Sequence, residues 1–247
     1  MLAKHGMNIR PGDPVELVRH DGRRLPDTKA VAIQPAGSIR EEERAFLLKQ
    51  RMNESLRTAN GALNRAYTIT LDRELDIPMG GVICSASRIG NGFAVKGGTF
   101  GFNRSRGILI KASRGQITAN RLEGCWMSAI LVAPEYWWLE AGSSSELTIS
   151  DNMIIDCRRP AISIEATAGN GQAAPAGAHT DIAITANTIV GGPSPSIRVT
   201  STGHLLVENN TFEMPKPPRP SAQDSARAEP IKTENCDNIT IRNNASR

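Results

Sequence analysis

Glu135 and Glu140 bracket an aromatic run in the stretch Pro134-Glu135-Tyr136-Trp137-Trp138-Leu139-Glu140-Ala141-Gly142, which holds two of the three tryptophans and one of the two tyrosines. Carboxylates pass protons and accept hydroxyl hydrogen bonds, and a pair of them is the usual equipment for cleaving a glycosidic bond. Sugar rings present apolar C–H faces that stack on indole or phenol rings. The stretch leaves an alternating apolar strand, Ala129-Ile130-Leu131-Val132-Ala133, so it reads as a loop on a rigid scaffold, where ligand contacts concentrate. Glu140 and Glu135 are therefore candidate catalytic carboxylates or sugar ligands, and Tyr136, Trp137 and Trp138 are candidate stacking surfaces. A plainer role stands beside this one: aromatic cover for the scaffold, with solvated glutamates.

Further charged residues fall on predicted outward strand positions. Lys111, Glu165, Arg198, Lys232 and Glu234 would line one groove, and Lys111 and Glu165 are counted among the substrate contacts. Arg104 and Arg106 precede a strand in Asn103-Arg104-Ser105-Arg106-Gly107 and could clamp a hydroxyl or carboxylate. For each, a charged face that keeps a sheet soluble is the competing reading. His5, His20, His179 and His204 are scattered without metal-ligand spacing and read as surface residues. No glycine-rich phosphate loop follows a strand and opens a helix. Neither a metal nor a cofactor is expected.

Composition narrows the classes. The chain has 247 residues, 39% of them hydrophobic, which is ample for a core. Lys and Arg number 29 against 25 Asp and Glu, a net charge of +4, and aromatics make up 4%. That balance favours neither disorder nor dedicated nucleic-acid binding. No apolar run reaches the ~18 residues of a membrane span, and Met1-Leu2-Ala3-Lys4-His5-Gly6 is no signal peptide, so compartment stays open. Cys84, Cys125, Cys157 and Cys236 are too few for a disulfide scaffold and too far apart for a zinc site.

A repeat supplies the scaffold. A β-branched residue, two variable positions, Asn, one variable position and an apolar residue recur as Ile117-Thr118-Ala119-Asn120-Arg121-Leu122, Ile149-Ser150-Asp151-Asn152-Met153-Ile154, Ile184-Thr185-Ala186-Asn187-Thr188-Ile189 and Val207-Glu208-Asn209-Asn210-Thr211-Phe212. A last copy starts at Ile241 with Asn244, and a weaker first copy, Val95 to Phe100, has Gly98 in the Asn position. The Asn spacings of 32, 35, 23 and 34 suit coils that share a cross-section and differ in loop length. A second strand set puts Ile108, Ile130, Ile162, Ile197 and Ile231 in one inward column. Ile110, Val132, Ile164, Val199 and Thr233 make another. Two or more short strands per coil define an all-β chain: a right-handed parallel β-helix, a solenoid of the pectate-lyase-like kind. Stacked Asn amides would satisfy backbone groups at the bends, and Asn tolerates the left-handed conformation of such corners. Cys125 and Cys157, each five residues past a ladder Asn, would stack as small buried residues.

The expected organisation is a small β-rich (α+β) module over 1–80 and about six β-helix coils over 81–247. In the module Pro14–Val18, Ala30–Ile33 and Ala66–Leu71 read as strands, with Asp21-Gly22 as a hairpin signal. Ser38 followed by Glu41, Glu42 and Glu43 reads as the start of a helix reaching about Arg57. Loops are expected over 166–180 and over the proline-rich 214–228.

Three segments carry a family resemblance: Asn103-Arg104-Ser105-Arg106-Gly107-Ile108-Leu109-Ile110, Ala129-Ile130-Leu131-Val132, and Trp138-Leu139-Glu140-Ala141-Gly142 followed by Leu147-Thr148-Ile149-Ser150-Asp151-Asn152. Their order resembles glycoside hydrolase family 110, the exo-acting α-1,3-galactosidases of bacteria, and related β-helix proteins. The resemblance covers most of the chain from about residue 9. It implies a right-handed β-helix interrupted by small β-barrel insertions, of which residues 9–80 would be one. It also implies that Glu140 matches an active-site glutamate, with Trp138 beside it and Arg106 near it. Members of that family invert the anomeric carbon with paired aspartates on the coil before the insertion; no Asp-Asp pair occurs in this sequence. The expectation is the C-terminal portion of a larger enzyme, or a lineage with altered chemistry, with a homo-oligomer or a missing N-terminal segment covering the end of the stack. Similar proteins are secreted or periplasmic. The leading reading is a carbohydrate-active protein, a glycoside hydrolase similar to inverting exo-α-galactosidases, whose partner is an oligosaccharide or polysaccharide. One alternative is a non-catalytic glycan-binding or assembly module. Another is a polysaccharide lyase with Lys111 or Arg106 as base.

Overall fold

The computed structural model describes residues 2–3, 8–37, 40–43, 45, 65–136, 140–213 and 229–247. They form two compact units. One comprises Met1–Asn91, Pro134–Gly142 and Thr167–Ala174; the other comprises Gly92–Ala133, Ser143–Ala166 and Pro175–Arg247.

The second unit is the right-handed parallel β-helix, with three faces rather than two strand sets. The first face stacks Ala94–Lys96, Gly115–Thr118, Ser145–Ser150, His179–Thr185, Thr202–Glu208 and Asp237–Arg242. The second stacks Thr99–Gly101, Arg121–Glu123, Met153–Ile155, Thr188–Val190, Thr211–Glu213 and Ala245–Ser246. The third stacks Ile108–Ile110, Ile130–Val132, Ile162–Ile164, Ile197–Thr200 and Ile231–Glu234. All neighbours within a face are parallel, and the third face pairs Ile108, Ile130, Ile162, Ile197 and Ile231 in register, as the period-two pattern requires. These columns form one core with Ile117, Ile149, Ile184 and Val207, each 0% exposed. Each fully buried aliphatic side chain contributes about 1.5–3 kcal/mol.

The Asn column turns the first face into the second. Each Nδ2 donates to the next Oδ1 along Asn120, Asn152, Asn187, Asn210 and Asn244 at 2.9–3.0 Å. Each also donates to a carbonyl of the preceding coil, as Asn152 does to Ile117 at 2.9 Å. Gly98 takes the first Asn position and donates its N–H to Asn120 Oδ1 at 2.9 Å. The left-handed conformation, expected at the Asn itself, falls on the residue before it: Ala119, Asp151, Ala186, Asn209 and Asn243 all have φ between 55° and 58°. This leaves the Asn side chain pointing inward. Cys125 (0% exposed) and Cys157 (4%) lie buried in the core, and burial pushes the Cys157 thiol up to about 12.

In the first unit Leu2–Ala3, Arg65–Leu71, Thr28–Pro35, Pro14–Val18 and Val82–Ser85 form an antiparallel sheet in that order. Val82–Ser85, which falls within the 81–247 expected to form β-helix coils, pairs antiparallel with Pro14–Val18 in this sheet. Ile9, Val15 and Ala30 form its buried core, joined by Ile33, Ile69, Leu71 and Ile83. Asp21-Gly22 makes the expected turn, with Gly22 N donating to Arg19 O at 2.9 Å and Arg19 N to Arg23 O at 2.9 Å. Glu41–Glu43 are helical, and Glu43 accepts the Arg40 N–H at 2.9 Å. Ser38, most of the expected helix to Arg57 and the proline-rich 214–228 lie outside the described residues.

Candidate functional site

The corner between the third and first faces is where coils diverge. After Ile110 the chain reaches the first face at Gly115 in a few residues, and after Thr200 it re-enters at Thr202. After Ile130–Val132 and Ile162–Ile164, on successive coils, it instead makes excursions, and Pro134–Gly142 and Thr167–Ala174 belong to the other unit. Insertions at one corner of a rigid solenoid are the usual seat of binding residues.

Within the first unit the Pro134–Gly142 excursion is held near both ends. Tyr136 is 1% exposed, and its hydroxyl donates to Glu16 Oε1 at 3.1 Å. Glu16, on the strand Pro14–Val18, is itself buried at 7% exposure. A side chain on Gly142 would lie 2.6 Å from Glu16 Oε2 and 3.2 Å from Cys84 Cβ, so glycine is needed for that approach. Burial, then the Glu16 charge, pushes the Cys84 thiol well above its usual range. Between these anchors Glu140 is exposed, while Glu135 is half-buried with φ 51°. The structure corrects the expectation for Tyr136, because a buried ring with an engaged hydroxyl offers no face to a sugar. Trp137 and Trp138 lie outside the described residues.

In the β-helix unit Lys111 and Glu165 both follow third-face strands. The register Ile110–Val132–Ile164 places them in one row two coils apart, about 10 Å. Glu165 Oε2 accepts the Ser163 hydroxyl at 3.4 Å. Arg198 and Lys232 form a neighbouring row, and Arg198 approaches Glu234 at 3.8 Å. The face is not one open groove, however, since the outward Leu131 and Ser163 are 4% exposed and Thr200 is 2% exposed. Arg104 is exposed and Arg106 half-buried in the turn before the strand Ile108–Ile110. That strand separates Arg106 from Lys111 by roughly 16 Å, so the two sets occupy different corners.

Two residues stand out that composition and spacing did not reveal. Glu16 is one. His179 is the other: expected at the surface, it is 0% exposed. Its Nδ1 accepts the Ser144 N–H at 3.1 Å, which leaves the Nε2 hydrogen to bond Glu165 O at 3.1 Å. One neutral imidazole thus ties a residue two positions past the first excursion to one two positions before the second. In the first-face register His179 pairs with Thr202, and both are 0% exposed. Among the described residues no group of three or more His, Cys, Asp or Glu converges as metal ligands would.

Comparison with known proteins places this architecture. The chain is 29% identical over 149 residues to Alpha-1,3-galactosidase A of Streptomyces avermitilis, covering 58% of this chain and 24% of the relative. It is 30% identical over 144 residues to Alpha-1,3-galactosidase A of Bacteroides thetaiotaomicron, covering 57% and 24%. With Alpha-1,3-galactosidase A of Akkermansia muciniphila it shares 34% identity over 110 residues, covering 44% and 18%. The matches thus span about a quarter or less of the length of these curated relatives. The family described as Right handed beta helix region matches residues 79–212, more than half of the chain and the segment that carries most of the stacked faces. The chain belongs to the right-handed β-helix family.

Proposed function

We propose that this chain is the β-helix part of a carbohydrate-active protein of the glycoside hydrolase type, acting on terminal α-galactosyl residues. The observation that carries the reading is Glu140: an exposed carboxylate on an excursion held by Tyr136 and Gly142 against a buried Glu16. Pinned ends keep a carboxylate in place without a large entropy cost on binding. The likeness to proteins named α-1,3-galactosidases supports the substrate class. In an inverting hydrolysis one carboxylic acid protonates the departing glycosidic oxygen while a carboxylate on the opposite side of the ring deprotonates the attacking water. Glu140 takes one of these acid/base roles or binds hydroxyls of the terminal sugar, with Glu135 as the nearest alternative on the same excursion. Arg104 and Arg106 at one corner of the β-helix, and Lys111 and Glu165 at another, are further candidate glycan contacts in their own right.

The test is galactose release from α-1,3-linked galactosyl oligosaccharides and a nitrophenyl glycoside panel. Wild type is expected to release galactose and Glu140→Gln to lose at least about 100-fold in rate. A glycan-binding module is the second reading, favoured by the absence of an Asp-Asp pair in the sequence. Binding without release by a folded chain would support that reading, and release undiminished in Glu140→Gln would contradict the role given to Glu140.

A further inference from the structure

The corner between the second and third faces carries costly exposed aromatics. Phe102 is 82% exposed and Trp126 is 53% exposed. The second-face register pairs Gly101 with Glu123, so Phe102 stands opposite Gly124, and its ring lies over that glycine. On successive coils this position is Phe102, Gly124, Asp156 and Gly191, all left-handed, with φ of 51°, 63°, 48° and 65°. A phenylalanine in that conformation costs roughly 1–2 kcal/mol against glycine. Neither burial nor a hydrogen bond of its side chain offsets this, and strain at an exposed aromatic points to function. Trp126 N donates to Asn103 O at 3.2 Å and Arg158 N to Cys125 O at 3.0 Å, which stacks Arg104, Trp126 and Arg158 on three coils. The Arg158 guanidinium lies 4.2 Å from the Trp126 ring centroid and covers one indole face. On the three coils that carry Phe102, Trp126 and Arg158, the described corner residues 102–107, 124–129 and 156–161 include exposed Arg104, Arg158 and Arg159 against one exposed acid, Asp156.

We propose that this corner is a binding subsite for an acidic glycan. Phe102 and Trp126 sit on adjacent coils, about 5 Å apart along the solenoid axis, so their planes can meet successive sugar rings. The guanidinium groups beside them supply bidentate partners for sugar carboxylates. A membrane surface or a protein would want a wider apolar patch, whereas isolated rings flanked by arginines suit a polyhydroxylated anion. The proposal does not depend on the role given to Glu140.

Retention of the full chain on immobilised polygalacturonate and on immobilised neutral galactan, at about 0.15 M salt to screen diffuse charge, tests this. Wild type is expected to be retained on polygalacturonate in preference to galactan. Trp126→Ala and Phe102→Gly change no charge and are expected to weaken retention about tenfold each, whereas Arg158→Gln should remove the preference for the acidic polymer. Phe102→Gly should at the same time raise the thermal midpoint, because it relieves the left-handed strain. Glu140→Gln should be retained like wild type. The proposal is overturned if wild type is retained on neither polymer, if the aromatic variants are retained like wild type, if Glu140→Gln abolishes retention, or if Phe102→Gly lowers the midpoint.

Discussion

Asn187 shows what one side chain must do to keep a coil closed. Fully buried, it accepts from the N–H and Nδ2 of Asn152 at 3.1 and 2.9 Å and donates from Nδ2 to Ile149 O and Asn210 Oδ1 at 2.9 Å. Alanine there would leave buried donors of Asn152 without this acceptor, at a cost of about 1–3 kcal/mol per group. Urea denaturation should therefore show Asn187→Ala losing about 3 kcal/mol. Asn244, on the last coil and half-buried, should lose about 1 kcal/mol on the same change. Equal losses at the two positions would contradict the ladder account. The ladder was legible in the sequence because the same local chemistry recurs at every coil. His179 was not, since its worth depends on Ser144 and Glu165, which local pattern does not connect to it. Tyr136 was misplaced for a related reason: a loop aromatic reads as exposed until the buried Glu16 that accepts its hydroxyl is known.

Corners, rather than strands, decide the energetics of the elements. The residue before each ladder Asn is left-handed, yet two of these positions are alanine, Ala119 and Ala186. Replacing Ala186 by glycine removes about 1–2 kcal/mol of left-handed strain and gives back roughly 0.4–1 kcal/mol through the freer unfolded chain. Ala186→Gly is thus expected to raise the thermal midpoint by a few degrees, about 1–3 °C. Ala183→Gly, within the strand His179–Thr185, should lower it. A fall for both would show that the corner is not strained. The inward columns of the third face were readable from period two, and the observed register matches them residue for residue. The second face is a sheet separate from the first, which the Asn repeat had joined to it, because strands of three residues such as Arg121–Glu123 carry too little alternation to divide the repeat from sequence alone. The short strand Val82–Ser85 carries no more alternation than these, and only its pairing with Pro14–Val18 defines it.

At the scale of the whole molecule, a solenoid core fixes where loops leave it, and the loops carry the chemistry. The repeat identified the scaffold, but the corner that bears both excursions became visible through the register that aligns their coils. Glu140 acquires its meaning there, as an exposed group between two anchors on Glu16. Calorimetric titration of the folded chain with α-1,3-galactobiose tests that claim most directly, because it reads ligand recognition whether or not the bond is cleaved. The account predicts saturable one-site binding to wild type that is weakened at least about tenfold in Glu140→Gln, with no change in thermal midpoint. No heat of binding to a folded wild-type chain, or equal affinity in the variant, would contradict it.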